Sequence, residues 1–456
     1  MPAPSRASAR RAPARLVALL LAAVLTADAS ALGYGAAAGA AGAAAPAPER
    51  QAILRARPVL GPGAARARAL AVQALLDRRA RAVLHRDRAA FLATVDPAER
   101  GFFDQQSGAF RALERVPIAS WSYQITGSAQ LDADPPVLAS YHAEVFIPAG
   151  LVLHYRIAGF DTEPTALVKY DTFVHRSAGW LLASESDFAA AGFPSSEDLW
   201  DFGPVLVVHG RRSLVLGHPR EAALLRTLAR EADRDVLRVT RVWGTGWARR
   251  VVILVPDTQT ELAQILVDGG DLGQIAAVAT AELSGLTGQV RPVGDRILIN
   301  PPNFARLGPL GRQVVITHEI THVATRAATG PGAPDWLVEG FADYVGYLGT
   351  GVDARIAASE LRSDLASGYR LGGLPGDVLF AGDAPRLAQS YEEAWLACRY
   401  TAARYGQEAL VALYRTIGAA GGGEGRAVAS GLAQVLHTTL SAYVTGWHDY
   451  VHVQLS

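Results

Sequence analysis

Cysteine, methionine and lysine are each represented once in this chain of 456 residues. A lone Cys398 excludes an internal disulfide, so an exported form has to rely on core packing or on bound metal. Its surroundings, Ala394-Trp395-Leu396-Ala397-Cys398-Arg399-Tyr400, read as a helix interior, where a thiol is buried structure rather than a nucleophile. Lys169 is the only lysine among 43 basic residues, a bias that reflects a GC-rich coding sequence rather than a binding signature. An excess of one charge is also missing, since 43 acidic residues balance the basic ones. Long apolar runs are absent as well. The stretch Leu16 to Ala27 has 12 residues, short of the ~20 that span a bilayer as a helix. Because Arg6, Arg10, Arg11 and Arg15 precede it and small-residue sites follow at Ala27-Asp28-Ala29 and Ala29-Ser30-Ala31, residues 1–31 are expected to be a cleaved secretory signal, which places the protein outside the cytoplasm. Membrane attachment follows only if that segment is retained. Its removal takes away four arginines and one aspartate, leaving a net charge of −3. That balance gives no reason to expect nucleic acid or anionic lipid as a partner.

What the chain does have is a dense set of metal-ligand residues near position 320. Val315-Ile316-Thr317-His318-Glu319-Ile320-Thr321-His322 places two histidines four residues apart, one turn above each other on a helix, where two neutral imidazoles can hold one cation. Glu319 sits one step round the helix and can reach a metal-bound water as general base without filling a ligand position. The stretch Leu310 to Arg326 has no internal proline and is expected to be helical, stopped by Gly330-Pro331-Gly332. A catalytic zinc needs a third protein ligand and leaves a fourth position for water. Glu339, in Trp336-Leu337-Val338-Glu339-Gly340-Phe341-Ala342-Asp343-Tyr344, is the candidate, on a second helix with Asp335 as its expected N-cap. Asp343 lies one turn further on the same face, placed to accept the free ring N–H of a ligand histidine. No second cluster of His, Cys or carboxylate is evident, so one Zn2+ per chain is expected.

With these residues the chain resembles the gluzincin clan of zinc metallopeptidases, which includes thermolysin-like enzymes and neutral aminopeptidases. There a His-Glu-x-x-His helix is followed by a helix carrying Glu-x-x-x-Asp, as Glu339 and Asp343 do here, and the match covers roughly residues 314–347. Tyr391-Glu392-Glu393-Ala394 looks like the Tyr-Glu-x-Gly segment of the aminopeptidase branch, in which the tyrosine hydroxyl stabilises the oxyanion; Tyr391 is either that catalytic donor or a packing residue. Two departures count. Val338 stands where thermolysin-like enzymes commonly have Asn, and the Gly-x-Met-x-Asn amino-terminus-binding signature is missing, since the only methionine is Met1. The resemblance therefore implies an endopeptidase acting on peptides or proteins. It also implies that the strand near Arg296-Ile297-Leu298-Ile299-Asn300, ended by Pro301-Pro302, is a sheet edge that pairs with substrate; the alternative is an ordinary sheet strand.

The fold class expected is α+β. Residues 32–63, rich in Ala, Gly and Pro, read as a linker. Residues 64–195 read as an α+β domain: a long helix from Ala64 to Val95, a second from Phe102 to Leu113, then strands at Trp121–Thr126, Leu138–Phe146, Leu151–Phe160, Ala166–Arg176 and Gly179–Ser184. That order resembles a nuclear-transport-factor-like or cystatin-like cone. His142, His154 and His175 fall on these strands without ligand spacing. Residues 196–456 read as the peptidase domain, a mixed sheet lobe followed by a mainly helical lobe. The amino-terminal domain carries no catalytic signature and is expected to position substrate, anchor the enzyme or cover the cleft. Two other functions stay open: a catalytically silent, peptidase-like scaffold at the cell surface, or a cone domain that holds a small apolar ligand. Oligomeric state is not legible.

Overall fold

The computed structural model describes residues 62–131, 139–266, 275–285, 292–330, 332–381, 384–421 and 423–456. The expected signal and nearly all of the linker lie outside them. Among the described residues no helix is long and apolar enough to cross a membrane.

The fold is α+β. The first long helix is broken in two: α1 (Pro62–His85) ends where Arg86 takes a left-handed φ of 56°, and α2 (Arg88–Leu92) restarts with Asp87 as N-cap, its carboxylate accepting from Ala90 N. Aspartate competes for backbone N–H groups and so favours caps over helix interiors, which is why the break falls here. After α3 (Arg100–Leu113) come two three-stranded antiparallel sheets. One orders β1 (Ile118–Ile125), β3 (Leu151–Ile157) and β4 (Thr165–Lys169); the other orders β2 (Glu144–Phe146), β5 (Thr172–Arg176) and β6 (Gly179–Ser184). The expected strand at Ala166–Arg176 is thus two strands that belong to different sheets.

A five-stranded mixed sheet follows, ordered β10-β11-β9-β8-β7, from β7 (Leu206–His209), β8 (Ser213–Gly217), β9 (Val251–Val255), β10 (Ala277–Leu283) and β11 (Pro292–Ile299). β8, β9 and β11 run parallel; β7 and β10 are antiparallel edges. Every residue of β8 and β9 is buried, the mark of strands covered on both faces. One face packs Val215, Val251, Ile253, Val255, Ile297 and Ile299 against α4 (Ala222–Trp243) and the carboxy-terminal helices. The other packs Leu214, Leu216, Val252, Leu254, Val278 and Leu298 into one core with α1, α3 and the β1-β3-β4 sheet. The alternation of strand side chains therefore puts the amino-terminal unit on the side of the sheet opposite α4 and the carboxy-terminal helices. The two units also meet at the sheet edge, where the Thr165 hydroxyl donates to Glu282 at 2.9 Å.

The join is also polar. Arg296 on β11 donates from both terminal nitrogens to Asp161, at 2.7 and 2.9 Å, with each side chain only 1% exposed. Asp161 accepts the Ile157 N–H as well, so the buried pair is satisfied on both sides.

β11 is an interior strand, the second of the two readings left open for it; the edge on that side is β10, which no expectation included. Pro301 and Pro302 open a short helix, α6 (Pro301–Ala305), after α5 (Gln259–Leu266). α7 (Pro309–Thr325) carries the His-Glu-x-x-His segment and ends at Arg326, before the Gly-Pro-Gly stop. α8 (Asp335–Tyr347) is capped by Pro334, so Asp335 is its first residue rather than its N-cap; the Asp335 N–H is taken by Asp377. The rest is helical: α9 (Ala354–Ala357), α10 (Ser359–Ala366), α11 (Leu387–Tyr405), α12 (Gln407–Gly418), α13 (Glu424–Val435) and α14 (Leu440–Leu455). Cys398 is fully buried on α11 in the larger core.

Candidate metal centre

α7 is buried on nearly every face, between α4, α8 and the sheet. A helix this enclosed has to satisfy its polar groups internally, and Thr317 and Thr321 do so by donating to the carbonyls of Gln313 and Thr317. Its far end is fixed to the sheet by Arg326, which donates to Asp295 at 2.5 Å and to the Ala279 carbonyl on β10.

On this helix His318 and His322 turn their Nε2 atoms toward each other, 2.8 Å apart, with ring centroids at 4.6 Å. Glu339 enters from α8 and places Oε2 at 3.2 Å from one Nε2 and 3.4 Å from the other. The chain brings α8 this close at glycine positions. Gly340 abuts the Ala394 carbonyl on α11, where a methyl group would collide, and Gly346 lies against Val314 of α7. Asp343, one turn after Glu339, sets Oδ1 2.7 Å from His318 Nδ1. A carboxylate can only accept, so this contact puts the proton on Nδ1 and leaves the Nε2 lone pair directed at the cluster.

Three ligand atoms spaced by about 3 Å suit a divalent ion with Zn–N and Zn–O bonds of about 2.0–2.2 Å. The donor set of two imidazoles and one carboxylate also suits zinc. Glu319 supplies a further observation. It is wholly buried, yet neither carboxylate oxygen makes a hydrogen bond within the protein. Such an orphaned carboxylate needs a partner, and a water held by an ion at the three-atom cluster would be one. The Ala279 backbone faces it from β10 and favours its charged form without reaching hydrogen-bond geometry.

The electrostatics are shared out unevenly. Burial raises the Glu319 carboxyl above the usual range, partly offset by the two imidazoles. Burial also acts on Glu339, but His322 and His318 outweigh it and hold that carboxyl down to about 2. Asp343 is raised by burial against the pull of His318. Tyr391, on the second turn of α11, is 2% exposed with its ring edge-on to Phe380. Its hydroxyl is pushed well above its ordinary value, first by burial and then by Glu339 and Asp343, which places the ring within the electrostatic reach of the cluster.

Several neighbours have other work. Glu392 accepts the Leu361 and Glu360 N–H groups at the start of α10, and Glu393 pairs with Arg386. His448 bonds the Gly372 carbonyl and His437 is exposed. His142, His154 and His175 do not converge; His175 packs edge-on against Trp180.

No protein-family model matches the chain, and no curated protein matches it. Among solved structures, a mutant of a two-domain M1 zinc metallopeptidase bound to L-arginine is similar at a TM-score of 0.31 and 13% identity. The match covers 55% of this chain and 52% of that one, so the chain spans about half the length of that structure.

The expectation of a single cluster needs correction. His218, Asp257 and Glu261 also offer ligand atoms that all lie within 4.8 Å of one another. The 39-residue interval between His218 and Asp257 carries no regularity from which their meeting could be read, and Asp257 precedes the helix that bears Glu261.

Proposed function

We propose that this chain is an exported zinc-dependent endopeptidase, with His318, His322 and Glu339 as metal ligands, Glu319 as general base and Asp343 orienting His318. The observation that carries the proposal is the meeting of three ligand atoms beside a buried carboxylate with no hydrogen bond of its own.

A bound zinc ion supplies Lewis-acid polarisation of the scissile carbonyl and lowers the pKa of a water. Glu319 would take the proton from the attacking water as it adds to the carbonyl carbon and return it to the departing amine. Burial raises its pKa from the ordinary carboxylate value, the direction that strengthens it as a base. Asp343 holds His318 in the tautomer that presents Nε2. Tyr391 is either the donor to the carbonyl oxygen as charge develops there or a packing ring. β10, the edge strand facing Glu319, is where an extended substrate would add its backbone. Export and endopeptidase activity rest on residues 1–31 and on the missing Gly-x-Met-x-Asn segment. The working partition is a unit at 64–195 and a peptidase unit at 196–456.

The alternative reading makes the amino-terminal unit a ligand carrier. A cavity there, lined by Arg79, Lys169, Glu185, Asp198 and Trp200 among others, has about 30 Å³, space for a water rather than for a ligand that needs roughly 300 Å³ or more.

The test is metal analysis of the purified protein together with cleavage of a diverse peptide pool, with and without chelator. Glu319→Gln should retain zinc and lose turnover by about 10³-fold or more, the scale of a positioned general base together with its water. Near-normal turnover in that variant, or a protein that takes up no zinc, would overturn the proposal.

A further inference from the structure

His218, Asp257 and Glu261 share no residue and no secondary-structure element with the cluster on α7 and α8. They gather at the carboxyl ends of two neighbouring parallel strands. Gly217 of β8 pairs with Val255 of β9, so His218 and Asp257 leave the sheet side by side, and α5 returns Glu261 to the same place. The ends of parallel strands are where open sheets hold ligands.

The ring of His218 is 6% exposed, and its Nδ1 lies 2.8 Å from the Pro204 carbonyl. A carbonyl only accepts, so Nδ1 carries the proton. Nε2 then faces Glu261 Oε2 at 3.2 Å and makes no hydrogen bond. Were Nε2 protonated, that distance would bring a hydrogen bond, but the alignment for one is missing. With Nε2 bare, a lone pair and a carboxylate oxygen confront each other, which is repulsive unless a cation lies between them. Asp257 differs in having a cationic neighbour, the Arg220 guanidinium, which a bound cation would have to displace or share. Asp257 Oδ1 has no hydrogen bond, although that exposed guanidinium approaches to 2.9 Å. Glu261 Oε2 is held in place by the Asp257 N–H at 2.7 Å.

We propose that these three side chains form a second divalent-cation site, selective for zinc and its first-row neighbours over calcium and magnesium. An imidazole nitrogen whose other nitrogen is tied to a backbone carbonyl is the form in which histidine binds such metals. Calcium and magnesium prefer cages of oxygen alone. Partial exposure of the two carboxylates leaves room for water as the remaining ligand. The ion would clamp the β8–α4 and β9–α5 turns together, far in sequence from the helix pair that bears the first cluster.

Zinc binding by equilibrium dialysis of the full chain tests the site, read in the wild type, in the double variant His318→Ala/His322→Ala, and in His218→Ala and Glu261→Gln. The expected result is two equivalents in the wild type and one in each variant. The one equivalent left in the double variant should raise its thermal midpoint by on the order of 5 °C at saturating zinc, with no rise from calcium or magnesium. Glu261→Gln keeps the size of a partly exposed side chain and so guards against a His218 variant that fails to fold. If the double variant binds no zinc, or if His218→Ala and Glu261→Gln both retain two equivalents, there is no second site. A wild type that binds one equivalent, lost in the double variant, overturns this site and leaves the α7–α8 centre standing; one equivalent lost in Glu261→Gln does the reverse.

Discussion

A buried carboxylate without a hydrogen bond costs a fold several kcal/mol unless something outside the polypeptide compensates. Glu319 is such a residue, and its neighbours indicate what compensates it. Asp343→Asn should lower metal affinity or activity by roughly 10- to 100-fold, the usual effect of loosening a ligand histidine; dialysis against a zinc-buffered series measures it, and an unchanged variant would show that the His318 contact is idle. Tyr391→Phe separates the two roles open for that residue. A donor to the oxyanion gives a 10²- to 10³-fold fall in kcat with KM and thermal midpoint unchanged, whereas a packing ring gives almost no change, because only a hydroxyl is lost. At this scale the α7–α8 cluster was legible because His318 to His322 and Glu339 to Asp343 are each one helical turn apart, so an interval in sequence fixes a face in space. The His218 cluster was not legible. Its members sit after two strands and on a helix, and only strand pairing brings them together.

Elements are positioned here by small residues as much as by apolar faces. Gly340 follows the proposed ligand Glu339 directly and lies against the Ala394 carbonyl, so α8 and α11 pack almost backbone to backbone. Gly340→Ala should force those helices apart, costing about 1–3 kcal/mol of stability. It should also weaken zinc binding, because Glu339 moves with its helix; a denaturant titration beside a zinc titration reads both. Neither Gly340 nor Ala394 carries a chemical signature, and the sequence shows only that they are small. Helix bounds were legible to within a few residues at α7, expected from Leu310 to Arg326 and found at Pro309–Thr325. β10 was missed because Ala277-Val278-Ala279-Thr280-Ala281-Glu282-Leu283 has few of the branched and aromatic residues that mark strands. It is held by its register on β11, a long-range fact.

For the whole molecule, buried acids set the response to pH. Asp198, enclosed by the amino-terminal core and bonded by the Tyr155 hydroxyl at 2.6 Å, is raised by burial from 3.8 to about 7. Between those two values the folded chain holds a proton that the unfolded chain has released, so this group's contribution is complete below about pH 4 and lost as pH rises through 7. Asp198→Asn keeps an acceptor for Tyr155 and removes the titration. It should therefore be more stable than the wild type at pH 8, by on the order of 2–4 kcal/mol, and equal to it near pH 4. Urea unfolding at the two pH values checks this, and equal gains at both would assign the effect to something other than ionisation. The mixed sheet has a consequence for how the gene can be divided. Its strands give alternate side chains to two cores, so a fragment beginning at residue 204 would meet water with Leu214, Leu216, Val252, Leu254, Val278 and Leu298 along one continuous apolar surface. Such a fragment should aggregate rather than fold alone. The amino-terminal unit, which has no catalytic signature, thereby acts as an intramolecular solubiliser of the part that does.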